Sequence, residues 1–133
     1  MKSLIVARSS AIQEALTTIL SSIPQVNTLG VAENSMMALE MIHLHQPELV
    51  IVDDNFAEGE TLDFIRRLKK NWGQIKVVVL ADKSQQQQTL LESGADAVLL
   101  RGIPTEQITK TINTIHLGRT INQNSSIGDK KND

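Results

Sequence analysis

The chain has 133 residues and a formal charge of −2, with acidic and basic side chains mixed along its length. This length suits one domain, and the balanced charge offers no basic surface for DNA or for an anionic membrane. Cysteine is absent, which excludes disulfides and thiolate metal sites. Aromatic residues make up only 2% of the chain, so the core must be aliphatic, and this scarcity argues against base-stacking platforms for single-stranded nucleic acid.

The apolar run near the N-terminus, residues 4–7, is too short for a signal peptide or a membrane span. We therefore expect a cytoplasmic protein that binds neither nucleic acid nor a membrane directly. Further apolar runs follow along the chain, and together they predict strands at residues 4–7, 26–32, 49–52, 76–80 and 97–100. Continuous β-branched runs suit strands buried on both faces, whereas the second run alternates as a half-exposed edge strand does.

Stretches with helical spacing separate the predicted strands. Ser9 or Ser10 can cap the first helix, and Asn34 or Ser35 can cap the second. The others are predicted at about residues 62–70, 84–92 and 104–117, with the last one ending at Gly118. Such alternation of strand and helix predicts an α/β fold with a parallel sheet over residues 1–118, and residues 119–133 are predicted to be a polar linker or tail.

In open α/β sheets, ligands bind beyond the carboxyl ends of the strands. The residues at those ends are Ala7 and Arg8, Asp53, Ala81 and Asp82, and Arg101. Asp53 is the strongest candidate, because a carboxylate that ends a continuous apolar strand lies in the crevice and within reach of Arg101. Two simpler interpretations stay open: Asp53 caps a turn or the next helix, and Arg101 pairs with Asp82 or with the last helix.

Two segments resemble the receiver domains of response regulators. Pro47-Glu48-Leu49-Val50-Ile51-Val52-Asp53 is similar to the stretch that leads to the family's phosphorylated aspartate. Gly94-Ala95-Asp96-Ala97-Val98-Leu99-Leu100-Arg101 is similar to the segment that leads to its site lysine, and the likeness extends over about residues 2–118. The resemblance implies a flavodoxin-like, doubly wound (βα)5 three-layer sandwich, with strand order 2-1-3-4-5, that acts in two-component signalling.

The resemblance also implies that Asp53 is the phosphoacceptor, but the surrounding positions depart from the family pattern. In such receivers, two acids after the first strand bind Mg²⁺, a Ser or Thr follows the fourth strand, a Lys follows the fifth, and an aromatic residue lies in the fifth. The residues at these positions here are Ala7 and Arg8, Ala81, Arg101 and Val98, respectively. The resemblance therefore points to a degenerate receiver.

The substitutions predict weak or absent Mg²⁺ binding, because this ion needs several oxygen ligands in octahedral geometry. The chief remaining donors are Asp53 and a carbonyl near Asn55. Two unit charges at about 4 Å interact by roughly 4 kcal/mol at an effective dielectric near 20, so a cation such as Arg8 would repel the metal substantially. Arg8 can also hold Asp53 as a fork, or it can point to solvent and leave the site vacant. We expect no cofactor and slow or absent phosphorylation.

The first functional hypothesis is therefore a non-enzymatic pseudo-receiver that signals by contact with a histidine kinase or another signalling protein. Its interaction face, which could also form a homodimer through the fourth and fifth or first and fifth helices, is predicted at Gln88, Leu91, Ile112 and Ile115. The alternative is a working phosphoacceptor, in which Asp53 takes a phosphoryl group from a histidine kinase and controls a DNA-binding output domain absent from this chain. A third class is a small-molecule binder at the same crevice.

Overall fold

The structure, a computed structural model, describes residues 1–54 and 60–128, the segment 119–128 by its backbone alone. The chain divides into two compact units, Met1–Ile103 and Pro104–Asp133. Within the described residues, no helix is long and apolar enough to cross a membrane.

The first unit contains a five-stranded sheet in which every pair of neighbouring strands is parallel. Its strands in chain order are β1 (Lys2–Val6), β2 (Asn27–Ala32), β3 (Leu49–Asp53), β4 (Lys76–Ala81) and β5 (Ala97–Leu100). They lie side by side in the order β2-β1-β3-β4-β5, which confirms the predicted order. The half-exposed β2 lies at one edge, as its alternating sequence predicts, whereas β3 is buried along its whole length.

The helices of this unit are α1 (Ser10–Ser21), α2 (Ser35–His45), α3 (Glu60–Asn71) and α4 (Gln87–Ser93), and a 3-10 turn at Ser84–Gln86 precedes α4. Of the alternative caps, Ser9 and Asn34 are used: their side-chain oxygens accept the backbone N–H groups of Ile12 and Met37 at 3.4 and 2.8 Å. The fourth helix ends, as predicted, at Gly94, whose φ of 122° favours glycine.

The strands bury side chains on both faces of the sheet. Alternate residues such as Leu4, Val50 and Val77 join one apolar cluster with the inner faces of α2, α3 and α4. Their neighbours Ile5 and Ile51 are buried outside that cluster and therefore point to the other face, where the crossover of α1 lies. Asp53, two residues after Ile51, shares this second face.

The second unit consists of α5 (Thr105–Gly128). Ile108 and Ile112 are its buried apolar residues among those whose side chains are described. The predicted helix end at Gly118 is wrong, because the helix continues to Gly128. Gly118 does not take a positive φ, and glycine inside a helix costs only about 1 kcal/mol, which weakens a helix without stopping it.

Candidate functional site

Asp53 ends β3, the central strand of the sheet, and its side chain is 2% exposed. The strands pair in parallel with β3 in register, so their carboxyl ends meet at the edge where Asp53 lies. A carboxylate buried to this extent is stable as an anion only when a cation or several donors compensate it. The identity of its partner therefore decides what the site can do.

Arg101 is that partner. It follows β5, and its backbone N–H donates to the carbonyl of Ala81 at 2.9 Å, which holds it level with the end of β4. From this position a terminal guanidinium nitrogen donates a short, charge-assisted hydrogen bond to Oδ1 of Asp53. The contact spans strands β3 and β5 and crosses the end of β4, which lies between them.

The same guanidinium also contacts a second acid. Its Nε lies 3.1 Å from Oδ1 of Asp82, close enough for an ion pair. The N–H direction does not meet hydrogen-bond geometry, however, and this buried Nε has no hydrogen-bond acceptor among the described residues. Arg101 therefore forms ion pairs with two carboxylates, and it donates a hydrogen bond only to the buried one, Asp53.

Ala7, at the end of β1, contributes no side-chain oxygen to the site. Its backbone is fully used: the N–H donates to the carbonyl of Ala32 at 2.9 Å, and its carbonyl accepts the side-chain amide of Gln13 at 2.7 Å. Gln13 lies on the first turns of α1, and no sequence motif singles it out. The backbone carbonyl of Ala7 is therefore already bonded to the side chain of Gln13.

Arg8 lies on the surface, and it makes no ion pair within the described parts of the chain. Of the two alternatives left open for Arg8, a fork on Asp53 and a side chain that points to solvent, the second agrees with its exposure, and the hydrogen bond to Asp53 comes from Arg101. The reason is local: the chain leaves the sheet after Ala7 and reaches the N-cap of α1 already at Ser9, so Arg8 lies on an exposed turn.

The sequence shows which family this architecture belongs to. A family model, the response regulator receiver domain, matches residues 4–113. The chain belongs to this family. Its receiver domain has the flavodoxin-like fold of the family and a place in two-component signalling.

Curated relatives of this receiver domain are distant. The nitrate/nitrite response regulator protein NarL of Escherichia coli K12 is 28% identical over 106 residues, which is 77% of this chain and 49% of that protein. A protein-glutamate methylesterase/protein-glutamine glutaminase of Syntrophus aciditrophicus is 33% identical over 103 residues, 74% of this chain and 29% of that protein. This receiver domain thus spans about a third to a half of the length of such relatives.

Solved structures show the same fold. The signal receiver domain of NarL from Mycobacterium tuberculosis aligns with a TM-score of 0.77 at 20% identity, covering 88% of this chain and 96% of that one. A response regulator receiver domain from Clostridium thermocellum aligns with a TM-score of 0.80 at 18% identity, covering 90% and 97%.

The described part of the receiver domain offers few side-chain ligands beside Asp53 for an ion such as Mg²⁺. Among these residues no group of three His, Cys, Asp or Glu side chains could hold a metal, and Asn55 lies outside them. Asp54 is half-buried, and its carbonyl accepts the hydroxyl of Thr61 at 3.0 Å. An oxygen of Asp53 is already bonded to Arg101, so an ion beside it would meet a fixed positive charge.

The remaining predicted positions lie in apolar surroundings or at the surface. Val98 is part of the core cluster on β5. Gln88 and Leu91 are exposed on α4, and Ile115 is half-buried on α5. Including Ile112 in an interaction face is wrong, because it is fully buried and, with Ile108 one turn earlier, forms the buried stripe of α5.

Proposed function

We propose that this receiver domain signals by protein contact, with its acceptor-position aspartate neutralised permanently by Arg101. The supporting observation is the hydrogen bond from Arg101 to the buried Asp53. Phosphoryl transfer relies on a divalent cation to offset the charge that develops on the phosphoryl oxygens. With Ala7 in place of an oxygen ligand and a guanidinium on the carboxylate, the site lacks the means to recruit that cation. The domain is then a binding module and not an enzyme.

The partner in this proposal is a histidine kinase or another signalling protein, and the location is the cytoplasm. The domain's candidate contact residues are the exposed Gln88 and Leu91 of α4 in the first unit and, separately, the half-buried Ile115 of α5 in the second. Ile112 is not among them. No Mg²⁺ or other cofactor takes part.

A second candidate function is phosphate acceptance at Asp53 from a histidine kinase, with control of a DNA-binding domain outside this chain. The retained carboxylate at the carboxyl end of β3 favours it, as does the likeness to NarL, which is named a nitrate/nitrite response regulator. In that case Arg101 would have to exchange Asp53 for the phosphoryl group.

The deciding experiment follows the amide resonances of the protein during titration with Mg²⁺ and then beryllofluoride. We expect no saturable shift around Asp53 in the natural sequence, and no added mass after incubation with acetyl phosphate. The variant Ala7→Asp/Arg8→Asp/Arg101→Lys, which restores the family's acid pair and lysine, should bind Mg²⁺. Its matched control adds Asp53→Asn and should lose that binding.

The mass measurement needs no variant and so stands if the triple variant fails to fold. Phosphorylation of the natural sequence that disappears in Asp53→Asn would establish the second candidate and reject the first.

A further inference from the structure

The outer face of α2 exposes large apolar side chains beside the polar Glu40 and His43. Met36 and Leu44 are 76% and 72% exposed, whereas Ala38 and Ile42 on the inner side are fully buried. Large exposed apolar patches on soluble proteins commonly mark interaction sites. The outer face of α2 therefore has the composition of a contact surface.

This face forms one wall of a groove between α2 and α3 with a volume of about 690 Å³. Its apolar lining comes from Met36, Leu39 and Leu44 of α2. Its charged lining includes Glu40 from α2 and Arg67 from α3. The groove lies wholly on the side of the sheet opposite α1, and it shares no residue with the Asp53 site.

The two helices run parallel with their first residues together. Both return the chain between parallel strands on the same face of the sheet, so both point against the strand direction. The hydroxyl of Ser35, the first residue of α2, donates to the carboxylate of Glu60, the first residue of α3, at 3.1 Å. Positions along the groove can therefore be compared directly between the two helices.

Charge is separated along α3, which contributes Arg67 to this groove. Glu60 and Asp63 are exposed near its start, and Arg67 and Lys70 are exposed toward its end. Asp63 also forms an exposed ion pair with Arg66 at 3.5 Å, a weak contact that an arginine of another molecule can replace. The surface thus has an acidic end and a basic end with apolar side chains between them. Such a pattern is complementary to itself after a half-turn, because the rotation brings each acidic end onto a basic end.

We infer that the α2–α3 groove is a self-association surface that binds a second copy of this chain across a two-fold axis. Met36 of each copy then faces Leu44 of the other, and Asp63 faces Arg67 of the other. The antiparallel helices also oppose their dipoles favourably. This register brings both copies of Glu40 near the axis, where their repulsion weakens the dimer. The groove shares no residue with the contacts proposed for signalling partners on α4 and on α5.

The inference is tested by sedimentation equilibrium of the whole chain over a concentration series up to about 1 mM, the dissociation constant that corresponds to a very weak contact. We expect a reversible monomer–dimer equilibrium. Arg67→Glu should raise the dissociation constant about tenfold, because it replaces a weak attraction by a repulsion at two symmetric positions. The double variant Asp63→Arg/Arg67→Glu should restore it, and Glu40→Gln should lower it.

Matched controls use other exposed apolar residues. Met36→Lys should abolish the dimer, whereas Leu117→Lys on α5 should leave it unchanged; circular dichroism should show both variants folded, since neither side chain is in the core. A chain that stays monomeric throughout the series overturns the inference. So does a dimer that is lost in Leu117→Lys or Leu91→Lys and kept in Met36→Lys, which would place self-association on α4 or α5.

Discussion

Two aspartates at opposite ends of the same sheet are held by cations in different ways. Asp96 lies just before β5, at the amino end of the strands, and its side chain is 25% exposed. It accepts from the ammonium group of Lys69 at 3.0 Å and from the backbone N–H of Val77 at 2.8 Å, and Lys76 lies 3.8 Å away. Asp53, at the carboxyl end, is buried and bonded to Arg101.

This difference separates Asp96, whose contacts are structural, from Asp53, which lies in the candidate functional site. Asp96 has several donors from α3 and β4, one of them a main-chain group, and water reaches it; loss of any one contact leaves the others. Asp53 depends on a single side chain for its charge compensation within the described residues, and its own side chain is only 2% exposed to water. A buried charge without its partner lowers the stability of the fold. The ion pair with Arg101 therefore determines whether the carboxylate at the carboxyl end of β3 is compensated.

The largest effect is expected for Arg101→Met. The substitution leaves Asp53 as an uncompensated buried charge and should lower the free energy of unfolding by about 3 kcal/mol, the lower part of the range for such losses because Arg101 is partly exposed. Urea denaturation measures it. The double variant Asp53→Asn/Arg101→Met should lose clearly less than the sum of the single changes. Additive losses would mean that the pair does not interact.

A smaller loss is expected for Asp96→Ala. The backbone N–H of Val77 loses its acceptor, and two partly exposed lysine contacts disappear, which together should cost about 2 kcal/mol. Asp96→Asn is the matched control, because its amide oxygen can still accept from that N–H and the loss should be roughly half as large. Equal losses in the two variants would assign the effect to charge alone.

Asp82→Asn should change stability by about 0.5 kcal/mol or less, because exposed ion pairs contribute little. Its side chain is 42% exposed, and its contact with Arg101 lacks hydrogen-bond geometry. The same denaturation experiment applies. A loss as large as that of Arg101→Met would show that Arg101 is positioned chiefly by Asp82.

The smallest effect is expected for Arg8→Ala, which should leave the unfolding transition unchanged within error. Arg8 is exposed and has no ion-pair partner in the described residues, so its removal takes nothing from Asp53. Comparing it with Arg101→Met tests which of the two arginines neutralises the buried aspartate. Destabilisation by Arg8→Ala would reverse that assignment.

Much of the fold could be predicted from the sequence because its signals are local. The uninterrupted apolar runs of β3 and β4 predict fully buried strands, and the alternating β2 predicts an edge. Asn34 and Ser9 were each one of two neighbouring cap candidates, and the choice between them depends on the backbone of a single turn. The end of α5 was missed because a glycine permits a helix end without requiring one.

The sequence by itself determined the alternation of strand and helix, the aliphatic core and the position of Asp53 at a strand end. All three can be predicted from the periodicity of apolar residues and from residue type. Only the tertiary structure decided which arginine bonds to Asp53: Arg8 and Arg101 both follow strands, and their reach depends on where each chain segment leaves the sheet. The same holds for the exposed apolar groove beside α2, since its charge pattern exists only once α3 lies next to it.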